Sequence, residues 1–170
     1  MVKSKSKEVV LILHDIRSTH NVGAIFRTAD AAGVNKIYIT GYTPAPLDRF
    51  GRKRQAITKA SLGAEQSVAW EQGQISGVIK QLKESGFQII ALEQARDAVD
   101  YKKVKPQYPV AFILGNEITG VPQDLLSLAD VVTEIPMKGK KESLNVSVAA
   151  GIILFSVFPR SERSAPRSSS

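Results

Sequence analysis

Two five-residue stretches, Val9-Val10-Leu11-Ile12-Leu13 and Val110-Ala111-Phe112-Ile113-Leu114, contain no polar side chain. A half-solvated strand alternates apolar and polar residues, so a strand that is apolar at both parities must be covered on both faces. Such strands belong to parallel sheets between layers of helices. The intervening sequence fits that demand. Residues 22–32 carry Ile25, Phe26 and Ala29 on one stripe, with Asn21 as a candidate N-cap and Gly33 just past the end. Residues 75–84 place Ile75, Val78, Ile79 and Leu82 at helical spacing, and Ser85-Gly86 stops them. Further strands are expected at 36–40, 66–70, 87–92 and 131–135, and a short helix near 122–128. Residues 41–54, with Pro44, Pro46 and Gly51, read as a loop. The last helix, 147–158, is apolar nearly all round and is expected to be largely covered. The fold class is therefore α/β, a mostly parallel sheet with helices on both faces. Ligands in such sheets sit beyond the carboxyl ends of the strands, so the loops there are where chemistry is expected.

The 170-residue chain is long enough for one domain with a substantial core, since a chain of this size buries roughly 70% of its unfolded surface. A basic arm is expected at 1–7, the domain at 8–158, and a disordered Ser- and Arg-rich tail at 159–170. With no Cys, disulfide frameworks, thiolate metal sites and Cys nucleophiles are excluded. No apolar stretch is long enough to span a bilayer and no signal peptide fits, so a cytoplasmic location is expected. The net charge of +7 favours polyanionic partners, nucleic acid first among them. Arg49, Arg52, Lys53 and Arg54 form one internal basic cluster, and Lys138, Lys140 and Lys141 another. Both fall in expected loops, which makes them candidate RNA contacts, against the blander reading of a solvated surface. Aromatic residues make up only 6% of the chain, so no platform for stacking single-stranded bases is indicated.

Three loops could carry chemistry. The first, His20-Asn21-Val22-Gly23-Ala24-Ile25-Phe26-Arg27-Thr28-Ala29, comes after strand one. Gly23 permits close approach of another backbone or a ligand, and Arg27 lies one turn further along, over the patch Gly23 leaves open. An Arg in an apolar helix more often sits merely at its wet edge. The second, Leu114-Gly115-Asn116-Glu117-Ile118-Thr119-Gly120, would put a carboxylate where a sheet holds its ligand. Equally, it could be a tight turn in which Glu117 caps the next helix. The third runs from Ile135-Pro136-Met137-Lys138-Gly139 to Ser143-Leu144-Asn145-Val146-Ser147. Ser143 and Asn145 suit a helix cap, and free amides at a helix N-terminus bind polar ligand groups. There is no G-x-G-x-x-G and no G-x-x-x-x-G-K-[ST]. His14 and His20 are the only histidines, so metal catalysis is disfavoured.

In this order and spacing, the three loops resemble the motifs of the SpoU (TrmH-like) branch of the SPOUT RNA methyltransferases: N-x-G-A-x-x-R-T-A at 21–29, L-G-x-E-x-x-G at 114–120, and I-P-M-x-G with S-L-N-V-S-V-A at 135–139 and 143–149. Residues 59–64, Lys-Ala-Ser-Leu-Gly-Ala, also look like a segment common in that group. Val121 replaces the Leu usual after the second motif. The resemblance covers residues 9–158. It implies a deep trefoil knot over roughly 110–158, which the rarity of threaded chains would not have suggested. It also implies a homodimer, with the first and last helices as candidate contacts, and S-adenosylmethionine as methyl donor.

The positions matching the donor site are Leu92, Gly115, Ile135 and Leu144, with Ser143 close by. The catalytic positions implied are Arg27, Asn21, Glu117, Ser143 and Asn145. The family assigns activation of the ribose 2′-hydroxyl to the Arg matching Arg27. A guanidinium stays protonated in proteins, so a fixed cation that lowers the hydroxyl's pKa is the better role. Asn21 and Asn145 would orient substrate or Arg27, and Glu117 would hold Arg27 or the second loop. No separate RNA-binding domain is expected ahead of the core, so tRNA or rRNA would be gripped by the basic loops, the arms and the dimer surface. The runner-up is an RNA-binding module of the same fold without catalysis. Base methylation, as in other SPOUT branches, is disfavoured by the motifs.

Overall fold

The computed structural model describes residues 7–157; residues 1–6 of the expected arm and the whole expected tail lie outside them. Seven strands form one sheet: β1 (Val9–His14), β2 (Lys36–Thr40), β3 (Ala69–Gly73), β4 (Gln88–Leu92), β5 (Val99–Asp100), β6 (Val110–Leu114) and β7 (Val131–Glu134). Their order across the sheet is β3-β2-β1-β6-β4-β7-β5, and every pairing is parallel. The two all-apolar runs become β1 and β6, neighbours near the middle of the sheet with Leu11 opposite Phe112 and Leu13 opposite Leu114. All eleven of their residues are buried, as strands apolar on both faces require.

Alternate residues feed two cores. Val9, Leu11 and Leu13 of β1 face α1 (Thr19–Ala32), α2 (Gln55–Ser61), α3 (Ala64–Ser67) and α6 (Val146–Val157). Val10 and Ile12 face α4 (Ile75–Glu84) and α5 (Gln123–Leu128). Because all strands run the same way, residues 15–18, 41–54, 93–98, 115–122 and 135–145 emerge at one edge, where the three loops meet.

Several expectations change. α1 starts three residues earlier than its apolar stripe suggests, because Ser18 is its N-cap and its hydroxyl accepts from the Asn21 amide at 3.1 Å. That frees the Asn21 side chain for another task. Gly33 ends the helix in the left-handed conformation, φ 83°, as expected. Where one strand was expected at 66–70, α3 ends at Ser67 and β3 starts at Ala69. β3 is a mostly exposed edge strand whose place is set by pairing with β2 and by the Lys36–Glu71 ion pair at 2.6 Å. α2 was not anticipated. It fills the space beside Gly23: a Cβ there would lie 2.6 Å from both the Ala60 Cβ and the Ile57 carbonyl. The glycine thus serves close helix packing and leaves no open patch beneath Arg27. α6 is covered on one side only. Ala150, Ile153 and Leu154 are fully buried, while Val148 and Phe155 remain about half exposed.

Candidate active site

Loops after β4, β6 and β7, with the start of α6, enclose a cleft of about 760 Å³ counted with its open mouth. Leu92, Gly115, Ile135, Ser143 and Leu144, all singled out in the sequence, line it together. Its apolar wall is completed by Leu114, Met137 and Val146. The ionisable groups in the lining are Glu93, Glu117 and Glu134, and no Lys or Arg is among them. Lys138, Lys140 and Lys141 ride exposed on the loop between Met137 and Ser143. The cleft therefore has an acidic interior and a basic rim, a division suited to a cationic ligand inside and phosphates outside.

The second loop turns tightly. Asn116 and Gly120 exchange backbone hydrogen bonds at 3.1 and 2.9 Å, and the Asn116 Oδ1 accepts from the amides of Ile118 and Thr119. Gly115 is needed for the closeness of this turn, since a Cβ on it would sit 2.5 Å from the Gly120 carbonyl. Glu117 caps a helix, but it is α1 rather than α5. Its carboxylate accepts from the Arg17 amide (3.0 Å), the Ser18 amide (3.1 Å) and the Asn21 Nδ2 (3.0 Å). Partial burial pushes the Glu117 carboxyl upward, but these hydrogen bonds outweigh it and hold the group below the usual carboxylate range. The positive end of α1 acts in the same direction.

Asn21 is buried and works as a strut: it donates to Glu117 and its Oδ1 accepts from the Asn145 Nδ2 at 3.1 Å. Asn145 in turn caps α6, its Oδ1 accepting from the Ser147 amide at 2.8 Å and its carbonyl from the Ala149 amide at 3.0 Å. So the chain Asn145–Asn21–Glu117 ties the three loops together. Ser143 is left out of the cap, and its hydroxyl makes no hydrogen bond to the described residues.

Arg27 is not part of this cluster. It is exposed on α1, does not line the cleft, and its side chain has no hydrogen bond or ion pair among the described residues. Six residues of helix put its Cα roughly 9 Å along the axis from Asn21. Glu117 consequently holds the entry to α1 and not Arg27. Of the other basic cluster, Arg49, Arg52, Lys53 and Arg54 are all exposed, and Arg54 lines a second, shallower cleft with Arg17 and Tyr42. One contributor was missed in the sequence. Glu93 lines the main cleft, accepts from the Val121 amide (2.6 Å) and the Gln94 amide (2.9 Å), and so holds the second loop from the opposite side. A carboxylate directly after an apolar strand, the signal that drew attention to the Glu117 loop, was present here too.

Comparison with known proteins agrees with this geometry. A model of the SpoU rRNA Methylase family matches residues 8–155. The chain is 33% identical over 159 residues to a tRNA (guanosine(18)-2′-O)-methyltransferase of Escherichia coli strain K12, an alignment covering 91% of this chain and 65% of the relative. A tRNA (guanosine(18)-2′-O)-methyltransferase of Aquifex aeolicus is 32% identical over 158 residues, 91% of this chain and 71% of its own length. Among solved structures, an AdoMet-bound rRNA methyltransferase from Sinorhizobium meliloti superposes with a TM-score of 0.80 at 31% identity, over 90% of this chain and 56% of that one. The chain thus spans somewhat less than two thirds of the E. coli relative's length and little more than half of the S. meliloti protein.

Proposed function

Because the chain belongs to the SpoU rRNA Methylase family, we propose that it is an S-adenosylmethionine-dependent methyltransferase acting on a ribose 2′-hydroxyl of tRNA or rRNA. The observation that carries this reading is the cleft after β4, β6 and β7, which apolar residues and three glutamates line together without a Lys or Arg. That lining fits a ligand with an adenosine-sized apolar body and a sulfonium charge. When bound, the donor supplies an already activated methyl group. Leu92, Ile135 and Leu144, which line the cleft, would hold its apolar parts, Gly115 would let main chain approach it, and Ser143 would offer it a hydroxyl. Glu117, Asn21 and Asn145 act as positioning residues, since their polar atoms are spent on one another and on the helix entries. The knot belongs to the same reading: residues 135–145 lead from β7 past the cleft to α6.

Arg27 supplies the fixed cation beside the attacking oxygen, stabilising the alkoxide that develops as the hydroxyl gives its proton to solvent water and the oxygen takes the methyl group. Since Arg27 stands away from its own cleft, the reading places it in the cleft of a second subunit. The half-exposed Val148 and Phe155 on α6 give that homodimer its apolar contact. The test is methyl incorporation from labelled S-adenosylmethionine into bulk tRNA and rRNA, with nuclease-resistant dinucleotides as the signature of ribose modification. Arg27→Ala should reduce turnover by orders of magnitude with donor affinity unchanged. Mixing Arg27→Ala with Gly115→Ala subunits should restore up to about a quarter of parental activity, because half the dimers then hold one site in which both the guanidinium and the donor cleft are unaltered. Donor binding with no incorporation into any RNA would favour the non-catalytic RNA-binding module instead.

A further inference from the structure

The loop expected at 41–54 contains a rigid finger. Leu47 and Lys53 form an antiparallel bridge, the Asp48 amide donates to the Arg52 carbonyl at 2.8 Å, and the Arg54 amide donates to the Pro46 carbonyl at 2.9 Å. Within the tip, the Asp48 carboxylate accepts from the amides of Phe50 and Arg52, at 2.8 and 3.0 Å. Gly51, at φ 76°, makes the reversal. The side chain at the summit is Phe50. It is 67% exposed, with the guanidinium of Arg49 4.8 Å and that of Arg52 5.0 Å from its ring centroid. Asp48 anchors Arg52 through the Nε at 2.8 Å, whereas Arg49 makes no hydrogen bond or ion pair among the described residues.

A lone exposed Phe on a stiff hairpin costs solvation and does nothing for the core, so its value lies in what it meets. Resting on the proposed function, in which the substrate is RNA, we propose that Phe50 is a stacking platform for one unpaired nucleobase of that RNA. The base takes the place of the loosely held Arg49 guanidinium over the ring, while the pinned Arg52 keeps the ring positively framed for the flanking phosphates. Planar, sequence-tolerant stacking against an aromatic face between cations is the chemistry of single-stranded or loop nucleotides, not of a duplex groove. The scarcity of aromatic residues had argued against such a platform; one well-presented ring is enough for one base. The finger's root continues into the shallow cleft of Arg17, Tyr42 and Arg54. Arg17 is tied through its amide to Glu117, and the Tyr42 hydroxyl accepts from the Asn116 Nδ2 at 2.8 Å. A strand stacked on Phe50 is thereby led toward the second loop and the main cleft.

The experiment is equilibrium binding of fluorescein-labelled unfractionated tRNA by anisotropy, over a salt series, with melting curves as a fold control. Phe50→Ala should weaken binding roughly fivefold to 150-fold, the range for loss of one base–aromatic stack, and Phe50→Trp should retain it. The slope of affinity against salt should stay parental, since no phosphate contact is removed. Two results overturn the platform while leaving the RNA reading intact. One is Phe50→Ala binding within twofold of the parent while a Lys138, Lys140, Lys141 triple-alanine variant is weakened. The other is a loss of affinity with a shallower salt slope, which would make Phe50 a mere prop for its arginines. A parent protein that binds no tRNA or rRNA overturns both.

Discussion

Replacing Glu117 by Gln tests whether its charge, rather than its shape, organises the site. The carboxylate takes three hydrogen bonds of 3.0–3.1 Å, two from main-chain amides at the entry to α1 and one from Asn21. Gln keeps one acceptor oxygen, which can serve Ser18 and Asn21, but turns its NH₂ toward the Arg17 amide. One charge-assisted bond, worth about 1.5–3 kcal/mol, is lost, and the favourable field at the helix N-terminus goes with it. For a domain of this size, where each kcal/mol moves Tm by about 2–4 °C, the variant should melt roughly 3–12 °C lower at neutral pH. The pH dependence sharpens the test. The native carboxyl is held below its ordinary value of 4.5, so its contribution is complete above that value and fades as pH falls through the lower native one. Parent and variant should therefore converge in acid, because protonated Glu117 is itself an uncharged donor. Calorimetric melting of both proteins between pH 7.5 and the lowest pH at which the parent still folds reads this directly. Equal melting at neutral pH, or a gap that does not narrow in acid, would refute the reasoning.

The same geometry sets two other outcomes. Gly115→Ala should leave the sheet intact by circular dichroism but sharply weaken S-adenosylmethionine binding measured by calorimetry. Its Cβ would lie 2.5 Å from the Gly120 carbonyl and force the loop open. Replacing Lys138, Lys140 and Lys141 by Ala should weaken RNA binding and lower its dependence on log salt by on the order of 0.7 per lost contact to a single-strand phosphate. An unchanged slope would assign those lysines to the solvated surface.

The buried half of this structure was legible in the sequence, and the reason is periodicity. β1 and β6 are written as unbroken apolar runs, and α4 appears at its observed bounds because Val78, Ile79 and Leu82 mark one face. α2, α3 and β5 were not, and the strand expected at 66–70 is displaced to β3 at 69–73, since none of these announces its bounds locally. β3 is a polar edge whose location is fixed by β2, β5 is two residues long, and α2 is seven residues whose packing depends on Gly23 far away in sequence. At the candidate site, the residue types were readable but not their partners. Asn21 has the chemistry of a cap and is a strut; Glu117 stands next to α5 in sequence and caps α1. Such bonds span about a hundred residues, and nothing in the local sequence encodes which side chains will meet.

That span also sets the order in which the clasp can close during synthesis. The Asn21–Asn145 bond joins residues 124 apart and the Asn21–Glu117 bond residues 96 apart. A nascent chain can assemble its amino-terminal strands and helices while the ribosome is still adding the rest, yet the clasp waits for Asn145 to arrive. A chain ending between residues 117 and 145 would hold both partners of the Asn21–Glu117 bond and lack the Asn145 that closes the clasp onto the third loop.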